Sequence, residues 1–137
     1  MTMTTESTFV VMTYNVGNGL APAPRLVDYL RSVSADVIGL EEVSANQALQ
    51  LDRDLGDRFP YRIVQGSGFS GRALLSRHPI VDHCWIEGEP DRPDLMAKVA
   101  IKGRIITIVV AHPHPQKPGR HGLVFDPVRP CCSVIST

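Results

Sequence analysis

An α/β fold is what the sequence predicts, and three observations predict it. Short runs rich in β-branched and aromatic residues alternate with stretches of helical period through the first part of the chain. After Pro60 strand candidates follow one another with no helix between them. Polar residues stand where the apolar strands end, as they do at the rim of a buried sheet.

The elements can be read in order. Phe9 to Tyr14 (Phe-Val-Val-Met-Thr-Tyr) reads as a buried strand closed by the loop Asn-Val-Gly-Asn-Gly. Pro24 stands where a first helical residue belongs, and Leu26, Val27, Leu30 and Val33 follow at helical spacing, giving an amphipathic helix. Asp36 to Leu40 is a second buried strand, ended by the acidic pair Glu41 and Glu42. Ser44 with Gln47 three residues later forms a capping box, Ala48, Leu51 and Leu55 supply one apolar stripe, and Gly56 is a C-terminal stop. Tyr61 to Val64, Ala73 to Leu75 and Ile80 to Ile86 are short strands. Met96 to Ile101 and Ile105 to Ala111 flank Lys102-Gly103-Arg104, a hairpin in which Gly103 takes the positive φ of a tight turn. The second of these strands is apolar on both faces, so a central position in its sheet is expected. From Gln116 onward Pro118, Gly119, Gly122, Pro127 and Pro130 break every window, which divides the chain into a domain over 8–115 and an irregular tail over 116–137.

Composition narrows the function classes. With 43% apolar and 20% charged residues in 137, the chain falls in the ordinary globular class and not among disordered or fibrous sequences. Fourteen basic and fourteen acidic residues give a formal net charge of zero, so a nucleic-acid partner has to be argued from a site and not from bulk charge. No apolar run spans a bilayer, and the polar start with Glu6 lacks a basic cluster before an apolar stretch, which predicts a cytoplasmic protein. Cys84 and the adjacent Cys131 and Cys132 make neither a Cys-x-x-Cys metal spacing nor an even disulfide framework, and read as reduced thiols.

Three residues at strand ends carry the chemistry: Asn15 after the first strand, Glu42 just past the second, and His112 after the last. A carboxamide, a carboxylate and an imidazole meeting in one place suit a hard divalent cation and an anionic substrate, because Mg2+ takes oxygen ligands and shares them with substrate phosphate. Each has a plainer reading. Asn15 could begin the turn that Gly17 and Gly19 complete, Glu42 could be an acid near a helix N-terminus, and His112 and His114 could be loop residues beside Pro113 and Pro115. The His-x-His pair also fits a zinc hydrolase, which would need further ligands, with only His121 and Asp126 left downstream.

The motifs taken together resemble one family. Thr13-Tyr14-Asn15-Val16, then Ala35 to Val43 (Ala-Asp-Val-Ile-Gly-Leu-Glu-Glu-Val), then Gly71 to Ile80 (Gly-Arg-Ala-Leu-Leu-Ser-Arg-His-Pro-Ile), and finally Ile108 to His112 (Ile-Val-Val-Ala-His) are similar, in order and spacing, to the successive motifs of the endonuclease/exonuclease/phosphatase family. That resemblance implies a DNase I-like α/β sandwich, two packed β-sheets flanked by helices. It implies a metal-dependent phosphoesterase that hydrolyses phosphodiester or phosphomonoester bonds by in-line attack of water, assisted by Mg2+ or in its place Mn2+. By the same resemblance Glu42 holds the metal, Asn15 orients the phosphate and nucleophile network, and His112 contacts the scissile phosphate, while Ser76 and Arg77 belong to scaffold. The substrate is a phosphate ester, whether nucleic acid, phospholipid head group or small ester, and the neutral charge leans slightly towards the smaller ones.

The departures from the family pattern set further expectations. Pro113 replaces the usual leucine after the motif histidine. Neither Gly-Asp-x-Asn nor a terminal Ser-Asp-His follows His114, and Asp82-His83 falls too early to stand for the latter. The reading is therefore a truncated N-terminal portion with an out-of-frame or divergent tail, supplying mainly one sheet plus its outer helices. Its inner face would be uncovered, so the alternative is a non-catalytic half-domain that self-associates or binds a complementary chain.

Overall fold

A computed structural model describes residues 8–89 and 92–112. The tail expected from residue 116, with His114, His121, Asp126, Cys131 and Cys132, lies outside the described residues.

The chain alternates strand and helix and then turns to strands alone, as its periodicity predicts: β1 (Val11–Asn15), α1 (Ala23–Ser32), β2 (Val37–Glu41), α2 (Ala45–Asp54), β3 (Tyr61–Gln65), β4 (Arg72–Ser76), β5 (Ile80–Glu89), β6 (Arg92–Ile101) and β7 (Arg104–Val110), with a 3-10 turn at Gly68–Ser70 before β4. The first four strands form one sheet in the order β1-β2-β4-β3, in which β1 runs parallel to β2 and the other pairs are antiparallel. The last three form an antiparallel meander β5-β6-β7. Lys102 (φ 50) and Gly103 (φ 77) make the β6-β7 turn, both with the positive φ that matches the twist of a hairpin.

Alternation along each strand divides the core in two. On one face of the first sheet, Ile38, Leu40, Ala73 and Leu75 pack with Leu26, Val27 and Leu30 of α1 and with Leu51 of α2. On the other face, Val37 and Leu74 pack with Leu95, Ala97, Val99 and Ile101 of β6 and Val110 of β7. The described residues thus form a helix layer, a four-stranded sheet and a three-stranded sheet. This corrects the expectation of mainly one sheet with an uncovered inner face: β5 to β7 fold back as a second sheet and cover it, since a sheet face left open would forfeit apolar burial.

Two further expectations change. The sequence predicts a buried β1, but among the described residues it is an edge strand, with Val11 49% exposed, because Met12 and Tyr14 pack on the helix side while the meander does not extend over its opposite face. β7, expected at the centre of its sheet, is the edge strand among the described residues, and β6 is central. Its side chains Ile106, Ile108 and Val110 turn to the other sheet, leaving Ile105 and Val109 on the outside, 59% and 40% exposed.

Local devices hold the frame. The capping box of α2 is present in full: Ser44 accepts the Gln47 N–H, and the Gln47 side chain accepts the Ser44 N–H. Gln47 is also buried, its amide donating to Ala21 O at 2.9 Å and so tying α2 to the loop before α1. Ser76 and Arg77 serve as scaffold: Ser76 Oγ donates to His78 O, and Arg77 donates to Val33 O with its guanidinium over the Phe59 ring. Asp36 joins the starts of β1 and β2 to the end of β4, accepting the Val10 N–H at 2.7 Å and lying 2.9 Å from His78 Nε2. The hydrogen bond to His78, reinforced by that from Val10, holds its carboxyl below the usual carboxylate range.

Three outcomes follow from this packing. Leu95→Ala, at the centre of the contact between sheets, should lower unfolding free energy by about 2–5 kcal/mol in urea titrations, against under about 1 kcal/mol for Ile105→Ala on the outer face. Gly71→Ala should be severely destabilising, because a Cβ there would stand 2.0 Å from the Val43 carbonyl oxygen, a backbone atom that cannot step aside. For Asp36 the depressed carboxyl binds its proton less readily folded than unfolded, so its contribution is present above the unfolded pKa and disappears as pH falls through the folded one. Asp36→Asn should accordingly cost stability near neutral pH and much less in acid, measured as the difference between wild-type and variant urea midpoints.

Candidate functional site

The parallel pair β1 and β2 ends at the same rim as β7, and the polar residues collect there. Asn15 is the last residue of β1 and lies in register with Glu41, the last of β2, whose antiparallel partner on β4 is Arg72. Register partners share a face, so a polar row crosses the sheet at its edge, on the side that meets the second sheet. There Gly39 of β2 lies against Val110 of β7, a close approach that a side chain on Gly39 would obstruct. His112, two residues beyond Val110, is thereby carried to the end of β2.

The imidazole of His112 sits between two carboxylates. Nδ1 lies 2.8 Å from Glu41 Oε2 and Nε2 lies 3.0 Å from Glu42 Oε1, with the His112 side chain 16% exposed and each glutamate side chain 15%. Consecutive strand residues normally point to opposite faces, so two neighbouring glutamates reaching one ring needs a local exception. Glu42 provides it, with φ 55 in the left-handed region that is uncommon for residues other than glycine. Hydrogen bonds hold this conformation on both sides: Asn18 N–H donates to Glu42 O at 2.7 Å, Val16 N–H to Glu41 O, and both Ser67 and Gly68 N–H to Val43 O.

The residues singled out from sequence arrive differently. Glu42 and His112 are in direct contact. Asn15 accepts the Gly17 N–H on Oδ1 at 2.9 Å, so the turn role is present, and its register places it beside Glu41. His114 lies outside the described residues. Four residues were missed. Glu41 was seen as half of an acidic pair but not as the second partner of His112; Thr13 donates its hydroxyl to Glu41 Oε1 at 3.1 Å; Asp94 of β6 accepts the His112 main-chain N–H at 3.4 Å; and Arg72 is wholly buried with Nη2 3.8 Å from Asp94 Oδ1. The polarity of Arg72 inside an otherwise apolar strand was the available signal for the last of these.

Glu41 and Glu42 flank His112, the first within hydrogen-bond geometry and the second at ion-pair distance, and among the described residues no group of three or more His, Cys, Asp or Glu side chains is disposed to hold a metal ion. The donor chemistry nonetheless suits an oxygen-preferring ion, since Mg2+ keeps several waters and is commonly held by only one or two carboxylates with substrate phosphate. Among the described residues no helix is long and apolar enough to cross a membrane.

The sequence model of the Endonuclease/Exonuclease/phosphatase family matches residues 12–130. No curated protein matches the sequence. Among solved structures, humanized D. rerio TDP2 with 14 mutations is similar at a TM-score of 0.62 and 17% identity, over 74% of this chain and 45% of that one. D. rerio TDP2 complexed with single strand DNA product matches at 0.57 and 17%, over 73% and 43%. An endonuclease/exonuclease/phosphatase family protein from Leptotrichia buccalis C-1013-b matches at 0.55 and 18%, over 77% and 55%. The chain spans about half the length of these structures, and at such identities they establish a shared fold. With the family's sequence pattern running over most of its length and the two-sheet sandwich in place, the chain belongs to the Endonuclease/Exonuclease/phosphatase family.

Proposed function

We propose that this chain is the N-terminal, metal-holding portion of a phosphoesterase that hydrolyses phosphodiester or phosphomonoester bonds by in-line attack of water. The observation that carries the reading is the imidazole of His112 held between Glu41 and Glu42 where the strands end. Glu42 would hold Mg2+, or Mn2+ in its place. The ion when bound supplies charge neutralisation on the phosphoryl oxygens. His112, released from its contact with Glu42, can then donate a hydrogen bond to a phosphate oxygen while Glu41 keeps the ring oriented through Nδ1. Asn15, beside Glu41, supplies a carboxamide N–H for the phosphate or the attacking water. Residues 116–137 are proposed as a divergent tail outside the catalytic frame. The substrate is a phosphate ester; a short one fits the zero net charge better than long duplex, and the TDP2 structure with single strand DNA product keeps nucleic acid among the candidates.

A second reading has its own observation. Val11 on β1 and Ile105 and Val109 on β7 expose apolar surface along two edge strands, which suits a half-domain that pairs with a second copy of itself. Size-exclusion chromatography with light scattering separates the two, since a stable monomer rules out the self-associating form.

The catalytic reading is checked with bis(p-nitrophenyl) phosphate and p-nitrophenyl phosphate in Mg2+ or Mn2+. Hydrolysis is expected to need the ion and to fall by about 100-fold or more in His112→Ala, the scale of losing a positioned proton donor. Glu42→Gln should weaken the dependence on the ion. A folded chain that hydrolyses neither ester with either ion would sink the proposal.

A further inference from the structure

The least expected residue of the site is the one solvent cannot reach. Arg72 is wholly buried on the face of β4 that meets the second sheet, and burying a guanidinium without a full set of partners is costly. Its Nη1 donates to Gly71 O at 3.0 Å and Phe69 O at 3.4 Å. Nε and Nη2 have no hydrogen-bond partner among the described residues. These two nitrogens form one edge of the guanidinium plane, the fork that receives a carboxylate side-on.

The carboxylate nearest that fork is Asp94, 3.8 Å from Nη2 and on the other sheet. The same oxygen, Oδ1, accepts the main-chain N–H of His112 at 3.4 Å. Asp94 therefore stands between a buried cation on β4 and the backbone of the residue whose ring bridges Glu41 and Glu42. Because Arg72 is fully enclosed, it cannot meet a substrate itself.

We propose that Arg72 is a positioning residue: its cation holds the Asp94 carboxylate, and Asp94 through the His112 main chain sets where the imidazole lies between the two glutamates. The purpose of this device rests on the phosphoesterase reading, whereas its geometry does not. Removing the cation leaves Asp94 able to take water, its side chain being 30% exposed, so Arg72→Met need not unfold the protein. What it releases is the end of β7.

The test uses the full chain with Arg72→Met, Asp94→Ala and the double variant, read by amide hydrogen exchange at His112, with Leu74 and Val99 as reporters of the fold. Each single variant is expected to speed exchange at His112 by about tenfold while the reporters hold, and the double variant to add nothing, because both break one chain of contacts. Arg72→Lys, which keeps a charge but loses the fork, should recover part of the protection. Where ester hydrolysis is observed, the same variants should lower kcat with KM little changed. A His112 amide unmoved by Arg72→Met, or effects that add in the double variant, would overturn the proposal. Should Arg72→Met fail to fold, Asp94→Asn and Arg72→Lys read the same contacts without removing a buried side chain. A chain without hydrolysis refutes the phosphoesterase reading alone, and the exchange result still decides the role of Arg72.

Discussion

Burial of the inner face of the first sheet is the constraint on which the other features depend. Val37 and Leu74 project from it into the side chains of β6 and β7, and that contact brings the two sheets into fixed relation. Because Val110 rests against Gly39, the end of β7 is carried to the end of β2, and His112 has nowhere to go but the rim where Glu41 and Glu42 stand. A shift of one residue in the β6-β7 register would turn Val110 outwards and take the histidine with it. The site is in this sense a by-product of apolar packing, with polar groups placed at the margin of a core that could not tolerate them inside.

Against that frame the rim is electrostatically unusual. Two carboxylates, Glu41 and Glu42, flank one imidazole, and a third, Asp94, meets the main-chain N–H of the same residue with one buried guanidinium beside it. Such a cluster of carboxylates is also what a divalent ion would find congenial. The left-handed backbone at Glu42 belongs to the same economy of structure: hydrogen bonds from Asn18, Ser67 and Gly68 to the segment around it hold a conformation that the chain alone would avoid, and so bring two adjacent acids to one ring.

Legibility from sequence followed the range of the interactions. The helices, the capping box at Ser44 and Gln47 and the Lys102-Gly103 turn were readable because they rest on contacts within a few residues. The strand ends at Asn15, Glu42 and His112 were readable for the same reason, since an apolar run followed by a polar residue marks a rim. Burial of β1 and the central place of β7 were misjudged, because an apolar strand reads alike whether one or both faces are covered.

The sequence by itself determined the order and type of the elements, the family and the polar residues offered to a site. Only the tertiary structure decided that β5 to β7 make a second sheet, that Glu41 joins Glu42 on His112, and that Asp94 and Arg72 stand behind them. The reason is separation along the chain. Glu41 and His112 lie 71 positions apart and Asp94 and His112 lie 18 apart, and no local period records which residues a sheet-to-sheet contact will bring together.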